Sequence, residues 1–344
     1  MPFNRLFNKK TMPKIFSYFI LIFLSTNAFA QTEEEEGDNN NFDPNTYTSG
    51  ANVKSYCSQK VLNQTPTKLI SLGYEQNFSF KNNFNEGEVH NISGMGGIRF
   101  APSVLAVSNT KMILSVGGQY ASNKISSNYT FPLNASMNQI YQNRMDLIGL
   151  NALIFKPLNK KNFITAQISS DYSQVSSNNN LTFNAKGLTY YGTVIFGWKN
   201  NERTMWGLGI SRTYRLGRPL IVPVILYNKT FNDKWGVECL LPARANLRYN
   251  LSSNSLLLAG VELEGQQYFV QNNNIFLQRG EIKPRITYEQ RLKGFIWLSL
   301  QAGYRLNGRF NLVNKYNGQE ANEIGINNLG SGPYINLSFN FVSP

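Results

Sequence analysis

The chain offers few side chains for acid–base or metal chemistry. His90 is its one histidine; it stands two residues after Glu88, and no nucleophile signature surrounds it. Hydrolysis of a lipid would need an activated serine, or a carboxylate beside a histidine that a third group orients. Neither a nucleophile nor an orienting partner can be named. His90 is therefore expected as a solvent-exposed residue in or beside a loop, a lipid-modifying barrel enzyme is the weakest functional class, and the chain is expected not to be an enzyme. No catalytic, cofactor-binding or metal-binding residues are assigned, and no cofactor is expected. Cys57 and Cys239 are the two cysteines. An oxidising compartment permits them to pair, yet Cys239 shares an apolar face with Val237 and Leu241, so two free thiols are expected. The carboxylates of residues 33–36, Asp38 and Asp43, interleaved with Asn39, Asn40 and Asn41, show no cation-ligand spacing and form a solvated acidic linker.

The remaining candidates are charges that alternate with apolar residues: Glu75, Arg99, Lys111, Asp171, Glu238, Lys283, Arg285 and Arg305. On strands with one apolar and one polar face, all eight line a lumen. Such a lumen either selects anionic solutes through excess positive charge or is filled by ion pairs and hydrogen bonds that fix its shape, the second being the plainer expectation.

The elements that position them follow from a period of two, the signature of a strand with two unlike faces. Ile70, Leu72, Tyr74, Phe78 and Phe80 oppose Ser71, Gly73, Glu75, Asn77 and Ser79. Tyr190, Val194, Phe196 and Trp198 oppose Thr189, Thr193 and Lys199. Ile335, Leu337, Phe339 and Phe341 oppose Asn336, Ser338 and Asn340. Alternation alone also suits a soluble sandwich; connector lengths discriminate. Short connectors near 108–110, 158–161, 199–202, 228–234, 250–254 and 290–294 take turns with long polar stretches at 81–88, 121–139, 173–186, 271–278 and 307–331. Tight turns at one end and long loops at the other are the pattern of outer-membrane barrels, with an even strand count. The expected fold is thus all-β: an antiparallel up-and-down transmembrane β-barrel of about 14 strands, with 12 as the fallback. Residues 220–249 are the doubtful stretch, because Pro219, Pro223 and Pro242 interrupt the pattern and proline belongs at edges, bulges or strand ends; short turns or kinked strands are expected there. Tyr74, Phe80, Tyr120, Phe155, Tyr172, Trp198, Trp206, Tyr214, Tyr227, Trp235, Tyr288 and Tyr304 cluster toward strand ends, where a headgroup layer satisfies an apolar body and a polar tip.

Composition agrees. Aromatics are 13% of residues and charged side chains only 15%, against about 25% charged in soluble domains. Mean hydropathy is −0.31, and beyond the N-terminus no apolar run approaches the roughly 20 residues of a spanning helix. The N-terminus carries Arg5, Lys9, Lys10 and Lys14, an apolar run at 15–24 and small residues at Ala28 and Ala30, the three parts of a secretory signal peptide. The expected organisation is a signal peptide at 1–30, an acidic, Asn-rich mobile periplasmic arm at 31–66 and a barrel at 67–344. The formal charge is +13, from 33 basic and 20 acidic residues; without the four signal-peptide cations the balance is 29 against 20, or +9. An exported chain rarely meets nucleic acid, so that excess points to lipopolysaccharide, anionic solutes or colloidal solubility.

The stretch bearing Gly217, Pro219, Pro223, Tyr227, Trp235, Leu241, Pro242, Leu247, Tyr249 and Gly260, between a signal peptide and a terminal aromatic strand, resembles a family of uncharacterised outer-membrane β-barrel proteins of Gram-negative bacteria, classed only as a domain of unknown function. The resemblance implies the barrel and its location and carries over no catalytic residue. The terminal Phe339, Asn340 and Phe341 also look like the signal read by the barrel-insertion machinery, although Val342, Ser343 and Pro344 follow the last aromatic. Outer-membrane lipid, lipopolysaccharide and that machinery are the expected partners. A channel or transporter for small solutes, anionic ones among them, is the leading expectation for function; a structural or interaction barrel contacting surface polymers or an envelope complex is the alternative.

Overall fold

Alternating residues give strands only if every ladder bond finds a partner, and in this chain the ladder closes on itself. The computed structural model describes residues 57–83, 89–127, 135–176, 183–215, 217–270, 274–316, 319–326 and 328–343. The expected signal peptide and the expected arm before residue 57 lie outside them.

The wall strands are β1 (Lys68–Asn77), β4 (Gly94–Ser108), β5 (Ile113–Ser126), β6 (Arg144–Pro157), β7 (Asn162–Ser176), β8 (Leu188–Asn201), β9 (Thr204–Thr213), β10 (Leu220–Thr230), β11 (Trp235–Leu241), β12 (Arg244–Ser252), β13 (Ser255–Val270), β14 (Ile275–Lys293), β15 (Ile296–Tyr316) and β18 (Gly332–Val342). Each is hydrogen-bonded antiparallel to the next, and β18 pairs with both β15 and β1, closing a 14-strand barrel. Closure leaves no free edge in the wall. β2 (Phe80–Asn83), β3 (Val89–Ile92) and β17 (Asn328–Leu329) form a separate three-stranded sheet, β16 (Gln319–Ile326) folds back on β15, and one helix, α1 (Ala135–Gln142), follows β5. The backbone of His90 lies in β3, opposite Asn82.

The outward face is apolar: Leu72, Leu150, Ile168, Ile210, Ile286 and Leu337 are all exposed, Ile168 to 66%. A face this apolar on every wall segment suits lipid and not water. At the short-turn end, Asn109, Asn159 and Asn232 each accept backbone N–H bonds from residues two and three further on, at 2.8–3.0 Å. These side-chain turns set the tight connectors. Pro223 sits beyond the Ile225↔Leu241 pair that ends the β10–β11 ladder, where β10 has a partner only on its β9 side. A missing N–H is tolerated at such a position, so the proline-rich stretch makes three ordinary wall strands, β11 and β12 being joined at Pro242 and Ala243 by a tight turn.

The wall is uneven. At the loop end β9 to β12 stop at Thr213, Leu220, Leu241 and Arg244, whereas β13 continues eight residues past Glu262, the partner of Arg244. Above the low strands β13 meets β7 directly, in a short parallel pairing of Phe269 with Gln174 and Val270 with Val175. Several stretches expected as long loops are therefore strand. The expected loop at 271–278 is occupied from Ile275 onward by β14, and that at 307–331 begins with the upper half of β15. Polar residues extend the strands beyond the apolar belt because ladder bonding to a neighbour satisfies their backbone groups.

Four expected headgroup-level aromatics are buried instead. Phe80 joins the loop-end cluster, Phe155 the short-turn cluster, Tyr172 packs on Phe183 with ring centroids 5.0 Å apart, and Tyr214 packs on Tyr191. Phe155 shares the inward parity of β6, and the other three are covered by loop-end segments that sequence periodicity does not place.

Candidate functional site

At both ends of the lumen, segments of the chain pack against the wall. At the loop end, Met137, Ile140 and Tyr141 of α1 pack with Phe80, Ile92, Met95, Ile125 and the tops of β13 to β15 in one apolar cluster. At the short-turn end, residues 57–66 lie against the floor of the barrel. Cys57 and Val61 pack with Phe155, Phe163 and Met205. The Lys199 ammonium donates to Ser58 Oγ, to the Lys60 carbonyl (3.0 Å) and to Glu202 (2.8 Å). Leu62 N–H donates to the Glu202 carbonyl at 2.7 Å, and Thr65 N–H and Oγ1 both donate to Glu238, at 3.0 and 2.9 Å. This part of the expected mobile arm is seated, because the barrel offers it an apolar notch and a row of unpaired turn groups. Lys60, half-buried outside the strands, has its ammonium pKa lowered to about 8 by desolvation, with Glu238 opposing the shift.

Between these ends the lumen has two unlike walls. On the tall side, Lys283 on β14 is buried and contacts Glu75 on β1 and Glu264 on β13, both at 2.7 Å, and Glu281 at 3.7 Å. Glu281 holds Arg279 in a fork at 2.9 and 3.0 Å and Arg305 at 3.2 Å. Arg305 lies over the Phe80 ring at 4.3 Å and so ties this cluster to the loop-end cap. Arg285 pairs with Glu262. Arg99 on β4 reaches across to Glu264 at 2.9 and 3.4 Å, a brace between strands five places apart in the wall. Each buried charge here depends on its partners, because an unpaired ion in low dielectric is strongly disfavoured.

On the other side, β5 to β9 present amides and hydroxyls. Asp171 accepts from Gln119 Nε2 at 2.6 Å, and it can lie against β6 because Gly149 has no side chain to exclude it. Thr193 and Ser211 share a hydrogen bond at 2.7 Å. Gln266 on β13 bonds Ser173, Thr189 and Tyr191, sealing the seam where β13 leaves β12 and meets β7. The loop after β9 covers the same seam: Arg215 Nη1 donates to the Leu263 carbonyl at 2.7 Å, and Gly217, at φ +78°, lies on the Arg279 backbone. The two walls enclose a cavity of about 330 Å³.

Of the eight charges named from sequence, Glu75, Arg99, Lys283, Arg285 and Arg305 come together in the tall-side cluster or its brace, and Asp171 lines the cavity opposite. Glu238 is also inward but lies nearer the arm, paired with Arg248 at 3.0 Å. Lys111 lies outside the paired wall: it is an exposed residue of the Asn109 turn, two residues before β5 begins at Ile113. Sequence reasoning missed Glu264, Glu281, Arg279 and Arg215. The inward parity of β13 and β14 predicts the first three once register is known, whereas Arg215 is in a loop and carries no periodic signal. Both cysteines are free thiols.

Residues 107–342 match the family described as "Domain of unknown function (DUF6268)". No curated protein matches the chain. Among solved structures, an outer-membrane channel from Pseudomonas putida F1 is 12% identical, with 83% of this chain and 98% of that one covered at a TM-score of 0.39. A Pseudomonas aeruginosa FadL homologue is 9% identical over 80% and 90%, at 0.40. The P. putida toluene transporter TodX is 11% identical over 80% and 90%, at 0.36. At such scores these likenesses bear on neither solute nor mechanism.

Proposed function

We propose, from the premise that this chain belongs to the DUF6268 family, that it is a channel or transporter in the outer membrane of a Gram-negative bacterium, passing small solutes with a preference for anions. The observation that carries this reading is the lumen: a barrel with a lipid-compatible exterior encloses a polar cavity of about 330 Å³ instead of an apolar fill. Preorganised charge at a constriction selects by sign: Arg99, Arg212, Arg215 and Arg279 match Asp171, Glu262, Glu264 and Glu281 in number at the cavity itself, and the lumen cluster beside it adds Lys283, Arg285 and Arg305 against Glu75. In this reading the short-turn end and residues 57–66 face the periplasm, lipid and lipopolysaccharide surround the wall, and β18 is the strand addressed by the barrel-insertion machinery. Residues 57–66 and the loop-end cluster pack at the two ends, so conduction is expected to rise when the arm or the loop-end cap moves.

Planar-bilayer recording tests this. The full chain is expected to conduct rarely, a chain lacking residues 57–66 more often, and the reversal potential in a salt gradient is expected on the anion side. A folded, membrane-inserted barrel that passes no current in either form would overturn the channel and favour the structural or interaction barrel, a reading supported by the cross-lumen brace and the segments packed at both ends.

A further inference from the structure

Among the guanidinium groups around the cavity, Arg99 is engaged in two contacts with Glu264 and Arg279 in two with Glu281. Among the described residues Arg212 and Arg215 have no carboxylate partner. Arg212 donates to the Tyr190 carbonyl and the Tyr214 hydroxyl, whereas the one side-chain bond of Arg215, from Nη1 to the Leu263 carbonyl, leaves most of its planar donor set unused. Arg215 lines the cavity from the loop after β9, at the edge of the low wall. On the facing wall the side chains of Asn123, Asn151, Gln167 and Ser169 also line the cavity without a protein partner among the described residues. Unused polar groups lining an enclosed space hold water or a ligand that offers both donors and acceptors.

We propose that this cavity binds one small polyhydroxylated carboxylate, a sugar acid in size and chemistry, with the carboxylate on Arg215 and the hydroxyls on the amide wall of β5 to β7. A guanidinium fork matches a planar carboxylate bidentately. Amides and hydroxyls match a ring or chain of hydroxyl groups, each of which donates and accepts. The volume, about 330 Å³, lies at the small end of the roughly 300–1,000 Å³ of small-molecule sites, which favours a ligand of single-sugar size. Glu264, Glu281 and Glu262 are each paired with a cation; Asp171, the lining carboxylate without a cation partner among the described residues, accepts from Gln119 on the wall assigned to the hydroxyls. The inference deepens the channel reading by naming the solute class of its polar cavity, and it rests on that reading only in requiring that solutes reach the lumen.

The test is calorimetric titration of the folded, detergent-solubilised chain with gluconate, glucose and glucose 6-phosphate, with chloride as the ionic control. Saturable gluconate binding is expected, with glucose and the phosphate weaker. Arg215→Gln is expected to lose about tenfold to a hundredfold in gluconate affinity, the range for hydrogen bonds to a charged group, with little change for glucose. Gln167→Leu, on the opposite wall, is expected to weaken both ligands several-fold. A heat-dependent gel shift checks that each variant is folded. Equal binding of glucose and gluconate, tighter binding of the phosphate, an Arg215→Gln chain that binds gluconate normally, or no saturable heat from any ligand would overturn the site. Current recorded in parallel separates the two claims: current without gluconate binding leaves the channel and removes the site, and binding without current keeps the site and removes the channel.

Discussion

The tall wall of β13 to β15 and the low wall of β9 to β12 face one lumen but are held by different means. On the tall wall the strands outrun their neighbours, and the surplus height is stabilised by buried ions that must all be paired: Lys283 alone satisfies carboxylates from β1, β13 and β14. The low wall ends early; its loop carrying Arg215 and Gly217 leans on β13 and β14 at one end, and residues 57–66 lie across it at the other. The difference teaches where movement is cheap. An ion cluster loses several contacts if one member leaves, whereas a segment laid on a finished ladder leaves without breaking any wall bond. Opening is therefore expected at the arm and the low-wall seam, not within the tall-side cluster.

The largest expected effect breaks the tall side. Lys283→Met leaves three carboxylates short of a cation and is expected to lower folding stability by about 3–5 kcal/mol, read as a shift in the urea midpoint of the refolded barrel. An unshifted midpoint would mean that the cluster is decorative and the two walls are alike.

Lys199→Met acts on the opposite side. It removes the ammonium holding Ser58, Lys60 and Glu202, a loss of about 1.5–3 kcal/mol that should fall on arm seating more than on the barrel. In a Cys239→Ser background, alkylation of Cys57 by an uncharged reagent should accelerate while the heat-dependent gel shift is retained; equal losses of both would show that arm and wall unfold as one.

Smaller again is Gly217→Ala. The backbone there has φ +78°, and a Cβ would lie 3.0 Å from the Arg279 backbone. Placing an alanine in that left-handed region costs roughly 1–2 kcal/mol, expressed as faster amide exchange along the β13 edge near Leu263 and unchanged exchange in β15.

The smallest effect is a pH dependence of the arm. Lys60 titrates near 8 when seated and near its ordinary 10.5 when released. Between those values a released Lys60 still holds a proton that a seated one has shed, so seating strengthens as pH rises from 8 to 10.5 and is weakest below 8. The ratio of Cys57 alkylation rates between Lys60→Met and the natural chain should rise across that window, since only the natural arm tightens; a constant ratio would remove Lys60 from the account.

How much of this was legible beforehand varies by region. The period-two pattern places Ile168, Leu208 and Leu337 outward and Glu75, Asp171 and Lys283 inward, because a pleated strand turns successive side chains to opposite faces whatever its neighbours are. The alternation of short and long connectors yields the strand count and the common end of the tight turns. Lys111 was misplaced because periodicity cannot tell the last residue of a turn from the first of a strand. Phe80, Phe155, Tyr172 and Tyr214 were misplaced because an aromatic at a strand end serves equally in a headgroup layer or under a cap.

The sequence by itself determined a closed, two-faced barrel and the sign of most residues' orientation, since both depend on local pleat and on turn chemistry. Only the tertiary structure decided which charges meet, that residues 57–66 are seated on the barrel, and that β7 bonds to β13 above the low strands. Arg99 and Glu264 are 165 residues apart, and their meeting depends on closure and stagger around the whole ring, a global property of the strand register that no local window of residues contains.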